Sequence, residues 1–166
     1  LKLAYLPNPG AVRLRLSAYE VEGESVSKEI ERQFEALRKI IPHNIIGYET
    51  ATMQELVHKL LTERGLTLAT AESCTGGSIA ARFTAMPGAS AYFLCGVVSY
   101  SNASKHDILG VAPEVIARHG AVSEEVARRM AEGARRISGA DCAIATTGIA
   151  GPAGGSAEKP VGTVWI

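Results

Sequence analysis

The chain has 166 residues, 46% hydrophobic and 20% charged, the composition of a globular protein that can bury a core without disulfide or metal staples. Lysine plus arginine and aspartate plus glutamate number 17 each, and this zero balance excludes a general electrostatic grip on nucleic acid or an anionic membrane. No apolar run is long enough to span a bilayer, we expect no signal peptide ahead of the first strand, and three cysteines without CxxC spacing lead us to expect a reducing, cytoplasmic setting.

In chain order, residues 12–19 (VRLRLSAY) alternate apolar and polar side chains, the period of a half-buried strand. Residues 22–25 read as a polar turn. Ser27 then reads as the N-cap of an amphipathic helix with Ile30, Phe34, Leu37 and Ile41 on one stripe. Pro42 and Asn44 end it, and residues 44–49 (NIIGYE) read as a strand. This β-α-β piece, residues 1–48, is small for independent stability and carries no chemical motif, so we expect a partial α+β domain. The chain opens at Leu1 and stops at Ile166 inside an apparent strand, and we expect it to be part of a longer protein.

A second domain is expected over residues 49–166. Thr52 and Glu55 have capping-box spacing ahead of Leu56, Val57, Leu60 and Leu61, with Gly65 as the stop. Strands then alternate with helices: LTLATAE, helix CTGGSIAARFTAM, strand GVVSYS, short helix NASKHDILG, a long helix capped by Ser123, strand DCAIATTG, a loop to Pro160 and strand VGTVWI. Strands apolar on both faces predict a parallel or mixed sheet covered on two sides, with ligands at the carboxyl ends of its strands.

Three segments fall at such ends. In AESCTGG, Ser73 meets a glycine-opened helix start, where a hydroxyl can attack a carbonyl while free amides hold the oxyanion. The amides around Thr75 and Gly76 are the candidates for that hole. A capping serine beside a close-packed turn is the plainer reading. In SYSNASKHD, Tyr100, Asn102 and Lys105 emerge together, and a desolvated lysine can activate a serine; His106 is a rival base, and a solvated lysine the plain alternative. In residues 146–160, Thr147 sits at the strand end, and the glycines 148, 151, 154 and 155 build a structured loop whose amides can hold a phosphate or simply pack. Asp141, Glu124 and Glu125 read as helix-end charges, and Arg128, Arg129, Arg135 and Arg136 as a solvated face. The four histidines have no metal-ligand spacing, so no metal site is expected.

Together TAESCTGG, GVVSYSNASK, HGAVSEEVARRMAEGARR, TTGIAGPAGG and EKPVGTVWI resemble the CinA C-terminal domain family, in order and register from about Leu56 to Ile166. Residues 1–48 resemble the connecting domain of full-length CinA proteins. The resemblance implies a three-layer α/β/α sandwich with a mostly parallel sheet, usually in a homodimer. It also implies hydrolysis of the carboxamide of nicotinamide mononucleotide, without a cofactor. By position it implies Ser73 as nucleophile, Lys105 and Tyr100 as its activating partners, and Thr147 in the site. Cys74, Thr75, Gly76, Gly77, Asn102, Gly148 and Gly151 are the expected contacts to this small nucleotide substrate. A non-catalytic nucleotide-binding or competence-associated module on the same fold is the alternative, since fold alone does not fix function.

Overall fold

The computed structural model describes residues 1–8, 10–19, 24–48 and 52–166, and the chain divides into two compact units, Leu1–Glu49 and Thr50–Ile166. The first holds an antiparallel pair, β1 (Lys2–Asn8) and β2 (Ala11–Ser17), and one helix, α1 (Glu24–Ile40). It is therefore β-β-α rather than the expected β-α-β. The missed strand β1 contains Pro7, which interrupts the alternation that identifies β2. Helix α1 begins at Glu24, so Ser27 lies in its first turn instead of capping it; of the expected polar turn, Glu24 and Ser25 are helical and residues 22–23 lie outside the described residues. Residues 44–48 form no strand; Glu49 lies outside the described residues. Tyr48 instead meets Phe34 edge-on at 6.2 Å between ring centroids and lies under the Arg38 guanidinium at 4.8 Å, which holds this segment by side-chain packing rather than a β ladder.

The second unit is a three-layer α/β/α sandwich. Helix α2 (Met53–Arg64) opens on the expected capping box: the Glu55 amide donates to Thr52 Oγ1 at 3.2 Å, and the Thr52 amide donates to the Glu55 carboxylate at 2.6 Å. Next come β3 (Leu68–Glu72), α3 (Ser78–Thr84), β4 (Phe93–Val98), α4 (Asn102–Asp107), α5 (Pro113–His119), α6 (Glu124–Ser138), β5 (Cys142–Gly148) and β6 (Val164–Trp165). Sheet order is β4-β3-β5-β6, with β3 parallel to both neighbours and β6 antiparallel to β5. The central β3 is buried on both faces. Its Ala69 and Ala71 pack towards Val126, Met130 and Ala134 of α6, while Leu68 packs with Leu61, Phe83 and Tyr92 beneath α2 and α3.

Small residues set the layer spacing. A Cβ on Gly133 would lie 2.1 Å from the Leu109 carbonyl oxygen, so only glycine lets α6 come this close. Several boundaries differ from expectation. Strand β4 covers Phe93–Val98 rather than residues 96–101, which leaves Ser99, Tyr100 and Ser101 in the connection to α4. Helix α3 starts at Ser78, leaving residues 73–77 as a turn; α5 was not anticipated, since seven residues hold too little periodicity; and the last strand pairs over Val164–Trp165 alone. Among the described residues no helix is long and apolar enough to cross a membrane.

Candidate active site

The turn after β3 is organised by Glu72, a fully buried carboxylate that sequence reasoning passed over. It accepts the amide N–H groups of Gly77, Ile79 and Ala80 at 3.1, 3.0 and 2.7 Å. Burial alone would raise its pKa; these amides, with help from the nearby Thr75 hydroxyl, outweigh it and hold the carboxyl below its ordinary value. The helix start expected to face substrate is thus filled by the protein's own anion. Gly76 and Gly77, at φ 59° and 97°, adopt the left-handed backbone that the turn needs. The Gly76 amide donates to the Ser73 carbonyl at 3.0 Å and is not free for an oxyanion. The amides of Cys74 and Thr75 donate to no described residue.

Ser73 itself is buried, and its amide donates to Thr146 O at 2.9 Å. The Thr75 and Thr146 hydroxyls lie 2.7 Å apart, a second tie between this turn and β5. Ser73 therefore hangs between two strands, fixed on the β3 side by Glu72 and on the β5 side by Thr146.

Lys105 comes from α4, whose start is set by a capping box between Ser101 and Ser104. Its side chain is 1% exposed, which separates it from a solvated surface lysine. Nζ lies 3.0 Å from Ser73 Oγ, 2.7 Å from Ser99 O and 3.3 Å from Tyr100 O. Burial lowers its pKa, and the Cys74 thiol acts in the opposite sense. Two of the three partners are carbonyls, which only accept. A neutral amine here spends both N–H bonds on them and turns its lone pair towards Ser73, the one partner able to donate. His106 is tied elsewhere, its Nδ1 lying 3.1 Å from Val111 O.

The other expected residues divide. The Tyr100 side chain is 75% exposed and Asn102 is exposed at the start of α4; Tyr100 reaches Lys105 through its carbonyl rather than its phenol. Thr147 is buried, with its hydroxyl donating to Ala121 O at 2.8 Å. Cys74 packs against Gly148, where a Cβ would meet Cys74 Sγ at 3.0 Å and Thr163 O at 2.8 Å. The glycine-rich loop wraps Val161: a Cβ on Gly151 would lie 2.5 Å from Val161 Cγ1, and one on Gly155 2.8 Å from the Val161 nitrogen. Lys159 latches the loop, donating to His119 O at 2.9 Å and Val122 O at 2.7 Å. Arg136 is no mere surface charge, since it donates to Leu109 O at 3.0 Å. Asp141, read as a helix-end charge, accepts from the Thr67 amide and hydroxyl at 2.9 and 2.7 Å. Among the described residues no group of three His, Cys, Asp or Glu side chains could hold a metal.

Comparison with known proteins agrees with this architecture. The family model for the CinA C-terminal domain matches residues 50–166. A CinA-like protein of Chlorobaculum tepidum is 49% identical over 164 residues, covering 99% of this chain, which spans 39% of that relative's length. The crystal structure of competence/damage inducible protein CihA from Agrobacterium tumefaciens is 48% identical with TM-score 0.65, covering 71% of this chain and 73% of that one. A CinA superfamily protein from Escherichia coli is 37% identical with TM-score 0.66, covering 75% of each chain. The match of the family model over residues 50–166, with relatives of this identity and a sandwich shared with these structures, places this chain in the CinA family.

Proposed function

We propose that the second unit is an amidohydrolase that converts nicotinamide mononucleotide to nicotinic acid mononucleotide and ammonia. The observation that carries this reading is the 3.0 Å contact between buried Lys105 Nζ and Ser73 Oγ, with the lysine's other two contacts made to carbonyls. Neutral Lys105 takes the Ser73 proton as Oγ attacks the carboxamide carbon. The charge on the former carbonyl oxygen falls to the amides of Cys74 and Thr75, a role in which one donor is typically worth about 2.7–4 kcal/mol. The C–N bond then breaks as the Lys105 ammonium returns the proton to nitrogen. Ammonia leaves, and water attacks the ester with Lys105 again as base, restoring Ser73. Every step uses groups of the chain, so the reading needs no metal or cofactor.

Thr147 and the loop glycines Gly148 and Gly151 border the substrate in this reading, with Asn102 and the Gly76–Gly77 turn near the ring. A homodimer and a cytoplasmic setting belong to the same proposal, and sizing by light scattering tests the first. The deciding experiment is ammonia release from nicotinamide mononucleotide by the full chain, with Ser73→Ala as control. Turnover that survives in the folded Ser73→Ala variant rejects the serine. Comparable kcat/KM for the mononucleotide, its riboside and free nicotinamide rejects a phosphate grip by the loop.

A further inference from the structure

Residues one step beyond the registered pairs of β3 with β4 and β5 form a row across the sheet. Glu72 pairs with Val98 on one side and Thr146 on the other, and the Ser99 amide continues the ladder by donating to Glu72 O at 2.8 Å. Ser99, Ser73 and Thr147 therefore stand side by side at the strand ends, with neighbouring strands about 4.8 Å apart. All three are buried, at 0%, 8% and 1% exposure. Strand alternation turns them to the same side as Val97, Ala71 and Ala145, the face that packs on α6.

Two of these hydroxyls are engaged. Ser73 faces Lys105, and Thr147 donates to Ala121 O. Ser99 Oγ is the exception: it is buried and has no partner among the described residues, although the Ser99 carbonyl accepts from Lys105 Nζ at 2.7 Å. A buried hydroxyl with both donor and acceptor capacity unused costs stability, and it flanks the nucleophile on the lysine's side.

Resting on the amidohydrolase reading above, we propose that Ser99 is a catalytic residue that binds the leaving nitrogen of the substrate carboxamide. The nitrogen has to receive its proton from Lys105, so it lies on the β4 side of Ser73, while the carbonyl oxygen turns to the Cys74 and Thr75 amides. There Ser99 Oγ accepts one N–H of the carboxamide. This aims the nitrogen lone pair, which forms as Ser73 adds to the carbon, at the Lys105 ammonium. Ser99 exchanges no proton: the Oγ–C bond of Ser73 forms, the C–N bond breaks, and the proton taken from Ser73 departs on ammonia. An ester in place of the carboxamide has no N–H to offer this oxygen.

The test compares Ser99→Ala with the unaltered full chain on nicotinamide mononucleotide and on the matching methyl ester of nicotinic acid mononucleotide. Losing one hydrogen bond held in the transition state lowers kcat on the carboxamide by about 10-fold. The ester loses clearly less, and the melting temperature stays level or rises because an unsatisfied hydroxyl has been removed. Equal losses on amide and ester, or a fall in melting temperature, overturn the proposal in favour of a packing role. So does an unaffected carboxamide rate. If the unaltered chain releases no ammonia from the carboxamide, the amidohydrolase reading falls first and this one with it; an active chain with an indifferent Ser99→Ala variant sinks the Ser99 role alone.

Discussion

Replacing Glu72 by glutamine keeps the side chain's size and removes its charge, which makes it a direct probe of what orders the turn that carries Ser73. The carboxylate accepts three amide N–H bonds at 2.7–3.1 Å. Hydrogen bonds to an ionised group are worth about 1.5–3 kcal/mol each. Gly77, Ile79 and Ala80 are only half-buried, so water replaces part of the loss and the full sum does not apply. A glutamine oxygen still accepts one or two of the bonds, but its NH2 group faces donors. The expected cost at neutral pH is about 3 kcal/mol, the low end for breaking a buried charged network and a large share of the 5–15 kcal/mol typical of a domain. Urea unfolding followed by circular dichroism measures it. The pH dependence gives the sharper check. Because the folded pKa of Glu72 is depressed, its contribution is present above the unfolded carboxyl value and is lost as pH falls through the folded one. The gap between native chain and Glu72→Gln should close over that acid interval. A gap below about 1 kcal/mol at neutral pH, or one indifferent to acid, refutes the assignment of Glu72 as the turn's anchor.

Three further outcomes are expected. Lys105→Arg, permanently charged, should lower kcat by about 10²-fold or more while His106→Ala does little; in the unaltered chain kcat should rise with pH through the depressed Lys105 pKa, and a falling profile excludes a neutral-lysine base. The same group makes native stability rise with pH between its folded and its ordinary value, because the unfolded chain holds the extra proton there. Gly133→Ala, whose methyl would sit 2.1 Å from Leu109 O, should destabilise by about 3 kcal/mol, and a melting temperature within a degree of the unaltered chain contradicts the close approach of α6. Lys159→Ala should speed amide hydrogen exchange in the loop it latches and raise KM more than kcat; unchanged exchange removes the latch.

The sandwich was legible because its strands announce themselves by apolar runs such as LATAE and its helices by caps such as Thr52–Glu55 and Ser123. The first unit was harder. Its strands are largely exposed, so pairing rather than burial decides them, and the apolar run at residues 44–48 lacks a neighbour to pair with. In the candidate site, Ser73 and Lys105 stood out by their places after β3 and β4 and by the resemblance, and the structure brings Lys105 Nζ to 3.0 Å from Ser73 Oγ. Glu72, Ser99 and Thr146 did not, because their roles depend on which residue of the next strand lies opposite. Register is a property of the folded sheet and leaves little trace in any one segment. Tyr100 shows the converse: a conspicuous side chain beside the lysine, whose contact there is made by its backbone carbonyl.

The loop that wraps Val161 has a thermodynamic consequence. Glycine usually gives a loop freedom, yet here Gly151 and Gly155 leave room for Val161 against the backbone, and Lys159 fastens the far side. The chain entropy of ordering this segment is lost when the protein folds, not when a ligand arrives. If substrate docks on this loop, as the proposed function has it, association carries little ordering penalty and little heat-capacity change beyond that of the apolar area covered. Affinity is then set by how well an incoming group fits a shape already in place. A substitution that leaves every ligand contact intact but loosens Val161 would weaken binding through entropy alone.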